Sequence, residues 1–346
     1  MQRKKLSKQQ LLLVWSLIIG AICLVIVFLK IPVKESFSFF LKARFEYVLL
    51  FLLISLVIMI SNSWRWWLIL RSQGHKIPFF SLIGYKYAGF SISFLTPGPR
   101  MGGEAVSAGL LAKHKIKFTK ALSSVIIDKS IDLSLSGVFF LIGAVTILVN
   151  FALPENLKIL IIIVAVMMIM LVVYFYQQML TGQDFFMKLF KVLQLHKLKN
   201  FNKYESKIKE FEDHIRVFYQ RDKKEFIYAC LLTALSWAFM FLEYKTALLM
   251  LGFNVSYLHI FFIFSFVGLA YLMPLPMAIG SLEAGQISAF SIFGMPSAGG
   301  VALSMLIRAR DLLWSLIGLL VLSYYGVTSV RRRKKKKNEL LDNISE

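Results

Sequence analysis

Charge is what this chain has least of. Of 346 residues only 17% are Asp, Glu, Lys or Arg while 58% are hydrophobic, against roughly 25% and 45–50% in soluble domains. With a mean hydropathy of +0.68, an ordinary cytosolic globule is excluded. The two cysteines, Cys23 and Cys230, both fall inside apolar runs, which leaves neither a disulfide framework nor a thiolate metal site. The five histidines, His75, His114, His196, His214 and His259, show no metal-ligand spacing, so neither metal nor cofactor is expected. A GxxxxGK phosphate loop is missing, and with it an ATPase motor. G-x-S-x-G and HExxH are missing too, which removes the common hydrolase signatures. No A-x-A-like cleavage site follows the first apolar run, so that run reads as an uncleaved helix rather than a signal peptide.

Acidic residues are also few: 19 against 40 Lys and Arg, a net charge of +21. In a soluble protein this excess would suggest nucleic acid. Here the cations crowd the ends, at Arg3, Lys4, Lys5 and Lys8 and again over 331–337. Positive-inside bias and anionic headgroups account for them, and nucleic acid is not expected as a partner.

Long apolar runs are abundant. A spanning helix needs about 20 apolar residues, which marks out 11–29, 47–70, 122–149, 159–176, 226–251 and 301–325. Two shorter runs, 79–95 and 258–273, each end at a proline pair, and each is followed by a segment too short to cross, 102–112 and 280–293. The expected fold is an all-α polytopic membrane protein of about eight transmembrane helices with two re-entrant segments. Basic loops at 71–76, 113–120 and 177–225 contrast with uncharged 252–257 and 294–300, which puts both termini in the cytoplasm. The loop 30–44, with four cations on the outer side, runs against that rule. Residues 177–225 mix eleven basic with seven acidic side chains around Phe186, Leu189, Val192, Leu195 and Leu198. They read either as amphipathic helix at the inner headgroup layer or as a solvated connector.

Only eight prolines are present, yet four form two P-x-P elements, Pro97-Gly98-Pro99 and Pro274-Leu275-Pro276. Each is followed by glycine and then glutamate, Glu104 and Glu283. An aspartate lies 28 residues beyond each glutamate, Asp132 and Asp311, with a cation three residues before it, Lys129 and Arg308. A proline kink would explain one such element; the matched pair indicates an internal repeat. On the loop charges the copies are inverted, halves about 46–176 and 226–326. Broken helices in matching positions of inverted repeats point to a transporter site. The chain is thus expected to hold one transmembrane domain, 1–326, and a basic cytoplasmic tail, 327–346.

Six acids lie in apolar context: Glu104, Asp128, Asp132, Glu243, Glu283 and Asp311. Each would cost about 2.5–3.5 kcal/mol at a helix centre, so each calls for a partner or a function. Spacing offers Lys129 with Asp132 and Arg308 with Asp311, and places Asp128 and Asp132 on one face. Glu104 and Glu283 then have two readings. They pin the re-entrant segments to Lys129 and Arg308, or they take an amine or a proton beside helix starts at Gly102-Gly103 and Gly280-Ser281. Free N–H groups at those starts would suit a phosphate, with Arg100 reinforcing them. The candidate substrate-binding set is Arg100, Gly102, Gly103, Glu104, Asp128, Lys129, Asp132, Gly280, Ser281, Glu283, Arg308 and Asp311; the candidate hinges are Pro97, Pro99, Pro274 and Pro276. The run Ser61-Asn62-Ser63-Trp64-Arg65-Trp66-Trp67 reads as an interfacial anchor.

Two stretches carry a resemblance. Ser93-Phe-Leu-Thr-Pro-Gly-Pro-Arg-Met-Gly-Gly-Glu-Ala105 with Asp128-Lys-Ser-Ile-Asp132, and Pro274-Leu-Pro-Met-Ala-Ile-Gly-Ser-Leu-Glu-Ala284 with Arg308-Ala-Arg-Asp311, resemble the flippase-like transmembrane region of lysylphosphatidylglycerol synthases. The resemblance covers roughly 11–325. It implies a plasma-membrane flippase or scramblase for phospholipid, aminoacylated or polyprenyl-phosphate-linked lipids included. Fuller family members add a cytoplasmic domain that makes the lipid from aminoacyl-tRNA. The tail after 326 is too short for it, so no enzyme activity is expected. The alternatives are a scaffold that recruits a separate soluble lipid-modifying enzyme through 177–225, or one part of a lysyltransferase system.

Overall fold

A computed structural model describes residues 33–41, 43–96, 102–150, 155–192, 194, 201–273 and 275–345. The expected first span, 11–29, lies outside them. All the regular structure among the described residues is helical: α1 (Val33–Leu41), α2 (Phe45–Ser72), α3 (Phe79–Leu95), α4 (Glu104–Leu110), α5 (Phe118–Asn150), α6 (Glu155–Thr181), α7 (Phe185–Val192), α8 (Phe201–Arg221), α9 (Lys223–Met250), α10 (Tyr257–Leu272), α11 (Ser281–Ile292) and α12 (Ser297–Ser345).

The helices form where the apolar runs are long and stop where proline forbids continuation. Proline excludes the α conformation for the residue before it. Thr96, preceding Pro97, is accordingly extended at ψ 141°, and Met273, preceding Pro274, at ψ 135°. At 1.5 Å per residue, α3 and α10 are about 25 Å long, short of a hydrocarbon core of about 30 Å. Three helices among the described residues are long and apolar enough to cross, in Phe45–Ser72, Lys158–Thr181 and Lys223–Met250. The apolar window of the second is wholly unburied, as suits a helix with its side chains in lipid.

Two sets of four helices follow the same order: α2, α3, α4, α5 and then α9, α10, α11, α12. Their packing matches as well. In each set the broken helix packs on the short one and the short one on the last, α3 on α4 on α5 and α10 on α11 on α12. Between sets, α2 packs on α9, while α3 lies against α12 and α10 against α5. In each of these contacts a helix of one set packs on a helix of the other. Each set has its own apolar core, one around Trp66, Leu82, Tyr85 and Leu111, the other around Leu248, Ile263, Phe290 and Leu303.

One expectation is corrected. The stretch 30–44, expected as a loop, contains α1, which packs on α12. Within the connector 177–225, α8 packs on the bundle. Its apolar face, Ile215, Phe218 and Tyr219, is buried against Ile69, Ile127, Ile131, Met179 and Ala229, and the Tyr219 hydroxyl bonds that of Ser130 at 2.6 Å. Of the apolar residues read as an amphipathic stripe, Phe186 is half-buried, Leu189 and Val192 of α7 are exposed, and Leu195 and Leu198 lie outside the described residues.

Candidate functional site

The two helix breaks meet. A small cavity is lined by Ser93, Phe94 and Thr96 from the end of α3 and by Tyr271, Leu275, Met277 and Ala278 from the end of α10 and the turn after it. Ser93 and Tyr271 are each the fifteenth residue of their helix. Pro97, Pro99, Arg100 and Pro274 fall outside the described residues, and Pro276 opens the short turn Pro276–Ala278.

On the first side of the cavity, Gly102 has φ +118°, a conformation glycine tolerates and other residues resist. Its N–H donates to Glu104 Oε2 at 2.7 Å, and the N–H of Gly103 to Ser93 Oγ at 2.9 Å. Lys129 on α5 lies 3.4 Å from Glu104 Oε1. A Cβ on Gly103 would sit 1.8 Å from the carbonyl oxygen of Gly89, so only glycine lets α4 approach α3 this closely.

On the second side, Gly280 has φ +81° and donates to Glu283 Oε2 at 2.9 Å. Ser281 Oγ donates to the carbonyls of Ala270 and Ala278. Arg308 holds both Glu283 oxygens, at 2.6 and 2.7 Å, and the carbonyls of Met277 and Ala278, each at 2.8 Å. Met277 and Ala278 have φ of 55° and 50°, a strained conformation for residues with a Cβ. One guanidinium thus fixes the strained turn and the helix start together.

Glu104 is thus paired with Lys129, and Glu283 with Arg308. The expectation of free amides at these helix starts is corrected at Gly102, Gly103 and Gly280. Their N–H groups are already taken by Glu104, Ser93 and Glu283.

The remaining charges form two clusters. Arg65 of α2, 2% exposed, donates from Nε to Asp128 Oδ1 at 2.6 Å and from Nη1 to Asp132 Oδ1 and Thr233 Oγ1, both at 3.0 Å. Lys86 of α3 adds a bond to Asp128 Oδ2 at 2.8 Å. In the second set Arg310 pairs with Glu243 of α9 and, at 2.8 Å, with Asp311, whose Oδ2 accepts from Tyr271 at 3.3 Å.

These clusters correct three sequence expectations. Asp132 takes Arg65, not Lys129, and Asp311 takes Arg310, not Arg308. Arg65 reaches Asp132 from α2 and so ties that helix to α5, whereas Arg310 is Asp311's own neighbour on α12 and ties it to Glu243 of α9. The run from Ser61 to Trp67 is not an interfacial anchor, since Ser61, Ser63, Arg65 and Trp66 are buried inside the bundle. Sequence reasoning missed Arg65, Lys86 and Arg310. The cost that flagged the acids applies equally to a cation inside an apolar run, and it would have found Lys86 in the middle of α3.

Comparison with known proteins gives a consistent result. The family described as "Lysylphosphatidylglycerol synthase TM region" matches residues 13–318. A UPF0104 membrane protein of Methanocaldococcus jannaschii is 24% identical over 347 residues, 97% of this chain and 99% of the relative. One from Pyrococcus horikoshii is 24% identical over 84% of this chain and 90% of its own. A third, from Methanothermobacter thermautotrophicus, is 24% identical over 90% and 94%.

Proposed function

The chain belongs to the lysylphosphatidylglycerol synthase transmembrane-region family, and on that premise we propose that it moves phospholipid between leaflets. The observation that carries the reading is the meeting of the two helix breaks, at equivalent positions, around one cavity. A site built from both repeats is open to either leaflet in turn if one set rocks against the other. The breaks free backbone groups that a regular helix would hide, and Ser93, Thr96 and Tyr271 bring hydroxyls to a headgroup. The proposal includes the eight-span topology with inverted sets, one domain over 1–326 with a cytoplasmic tail, and a plasma-membrane location with both termini inside. Pro97, Pro99, Pro274 and Pro276 serve as hinges. The paired charges, including Arg308 with Glu283 and Arg65 with Asp128, hold the elements that carry the site, and Arg100 stands next to the first break in sequence.

No enzyme activity is assigned; the match covers the transmembrane region. Reconstitution into liposomes with headgroup-labelled lipids, followed by bleaching of the outer leaflet, tests the proposal. Movement faster than in protein-free liposomes, for at least one lipid of a panel spanning anionic, zwitterionic, aminoacylated and polyprenyl-phosphate-linked species, is the expected result. Movement no faster than in empty liposomes would favour a scaffold for a separate lipid-modifying enzyme.

A further inference from the structure

The sets cross each other twice, α3 on α12 and α10 on α5, and the two crossings are built differently. Where α3 meets α12 the backbones touch. A Cβ on Gly318 of α12 would lie 2.1 Å from the Tyr87 carbonyl oxygen and 2.2 Å from Ser91 Oγ, an approach that only a missing side chain allows. Ser91 is wholly buried, and its Oγ donates across the crossing to the Ser315 carbonyl at 2.7 Å. The seam continues with Gly84 against Val321, and with the ring of Tyr85 against that of Tyr325, 5.2 Å between centroids.

Gly318 stands seven residues beyond Asp311, and the residue seven beyond the repeated Asp132 is Phe139. Where α12 has no side chain, α5 therefore carries a ring. Phe139 stacks on Trp237 of α9, 4.9 Å between centroids and 15° between planes, and tilts against Phe241 at 5.8 Å. Phe241 in turn lies 4.3 Å from Phe261 and 4.7 Å from Phe264 of α10. At Gly143 of α5 a Cβ would sit 3.2 Å from Ser265 Oγ and 3.9 Å from the Phe261 carbonyl oxygen, so the α10 backbone stands farther off than that of α3 does at Gly318. Ser265 Oγ donates to Phe261 of its own helix, at 3.1 Å.

The two crossings therefore differ in what separation costs. Parting α3 from α12 breaks the bond from Ser91 to Ser315 and opens a seam of backbone contacts that lipid cannot refill as closely. Parting α5 from α10 trades ring contacts for contacts with lipid tails, which are as apolar as the side chains they replace. We propose that the sets pivot about the α3–α12 crossing and that the α5–α10 crossing is the gate, where the rings of Phe139, Phe241, Phe261 and Phe264 part to admit lipid. The inference rests on the reading that one set rocks against the other, and it names which of the two seams gives way.

Distances between paired spin labels, measured on the full chain in lipid nanodiscs with Cys23→Ala and Cys230→Ala in the background, test it. One pair is carried by Val145→Cys of α5 with Tyr257→Cys of α10, the other by Phe80→Cys of α3 with Tyr324→Cys of α12. All four side chains are exposed, so labelling leaves the core intact. Two distances are expected across α5–α10 and one across α3–α12. One distance across α5–α10, or two across α3–α12, would overturn the proposal. The measurement reads motion and not transport, so a negative liposome assay would strike the proposed function and leave this result to stand on its own.

Discussion

Arg65 and Glu243 are each the twenty-first residue of a 28-residue helix, α2 and α9, which pack on one another, and the two carry opposite charge. Each reaches the last helix of its own set, Arg65 to the carboxylates of α5 and Glu243 to the guanidinium of α12. The same position of the two helices thus carries one member of a buried ion pair, with the sign reversed.

Arg65 cannot be removed cheaply. Arg65→Gln leaves Asp128 and Asp132 with Lys86 as the remaining cation bonded to them among the described residues, and breaking a buried pair costs about 3–5 kcal/mol. The unfolding temperature in detergent should drop accordingly. Arg65→Lys should recover only part of the loss, since one ammonium does not reproduce three bonds made from two nitrogens of a planar fork. Thr233→Val, which deletes one neutral acceptor, should cost about 1 kcal/mol.

The two repeated glutamates should behave unequally. Glu283 is 5% exposed and satisfies a guanidinium that also holds a strained turn, whereas Glu104 is 18% exposed and 3.4 Å from a partly exposed Lys129. Glu283→Gln should therefore lower thermal stability well beyond Glu104→Gln. If the two carboxylates serve the transport cycle in alternation, both variants should lose lipid movement to a similar extent despite that difference. Melting temperature measured beside the liposome assay separates the roles.

Gly103→Ala should be disruptive. Its Cβ would lie 1.8 Å from the Gly89 carbonyl oxygen, so α4 must move off α3, at a cost above the usual 1–3 kcal/mol or so of overpacking. Gly109→Ala, near the other end of α4 with nothing within 4 Å of the new methyl, is the control and should express and melt like the wild type.

A pH effect is expected where α8 meets the loop after α2. His75 and His214 are both held below their ordinary pKa, first by burial and then by Lys120; His75 also feels His214, while Glu210 and Asp213 only partly offset the shift at His214. Such histidines bind protons more readily when unfolded. Their stability contribution is intact above the unfolded pKa of about 6.5 and is lost as pH falls below it toward the depressed folded value. Burial raises Glu212 and Asp222, which act in the opposite sense around the lower carboxylate range. The informative quantity is therefore the difference between wild type and His75→Gln/His214→Gln. The double variant should lose less stability between pH 7.5 and 5.5, and equal losses would rule the histidines out.

Some of this was settled by sequence alone, because the physics involved is local. An apolar run forms a helix wherever it lies, and proline ends it at its own position. The expected 79–95 is thus matched residue for residue by α3, and 258–273 within one residue by α10. The repeat of proline, glycine, glutamate and aspartate is a property of spacing and needed no coordinates. Tertiary structure alone decided the partners. Arg65 and Asp128 are 63 residues apart, and no helical periodicity connects charges on different helices. The apolar face of α8 shows the same limit, for Ile215 and Phe218 suit lipid tails and Ile127 equally well. Hydrophobic burial has no direction, so only the packed chain decides which surface covers them.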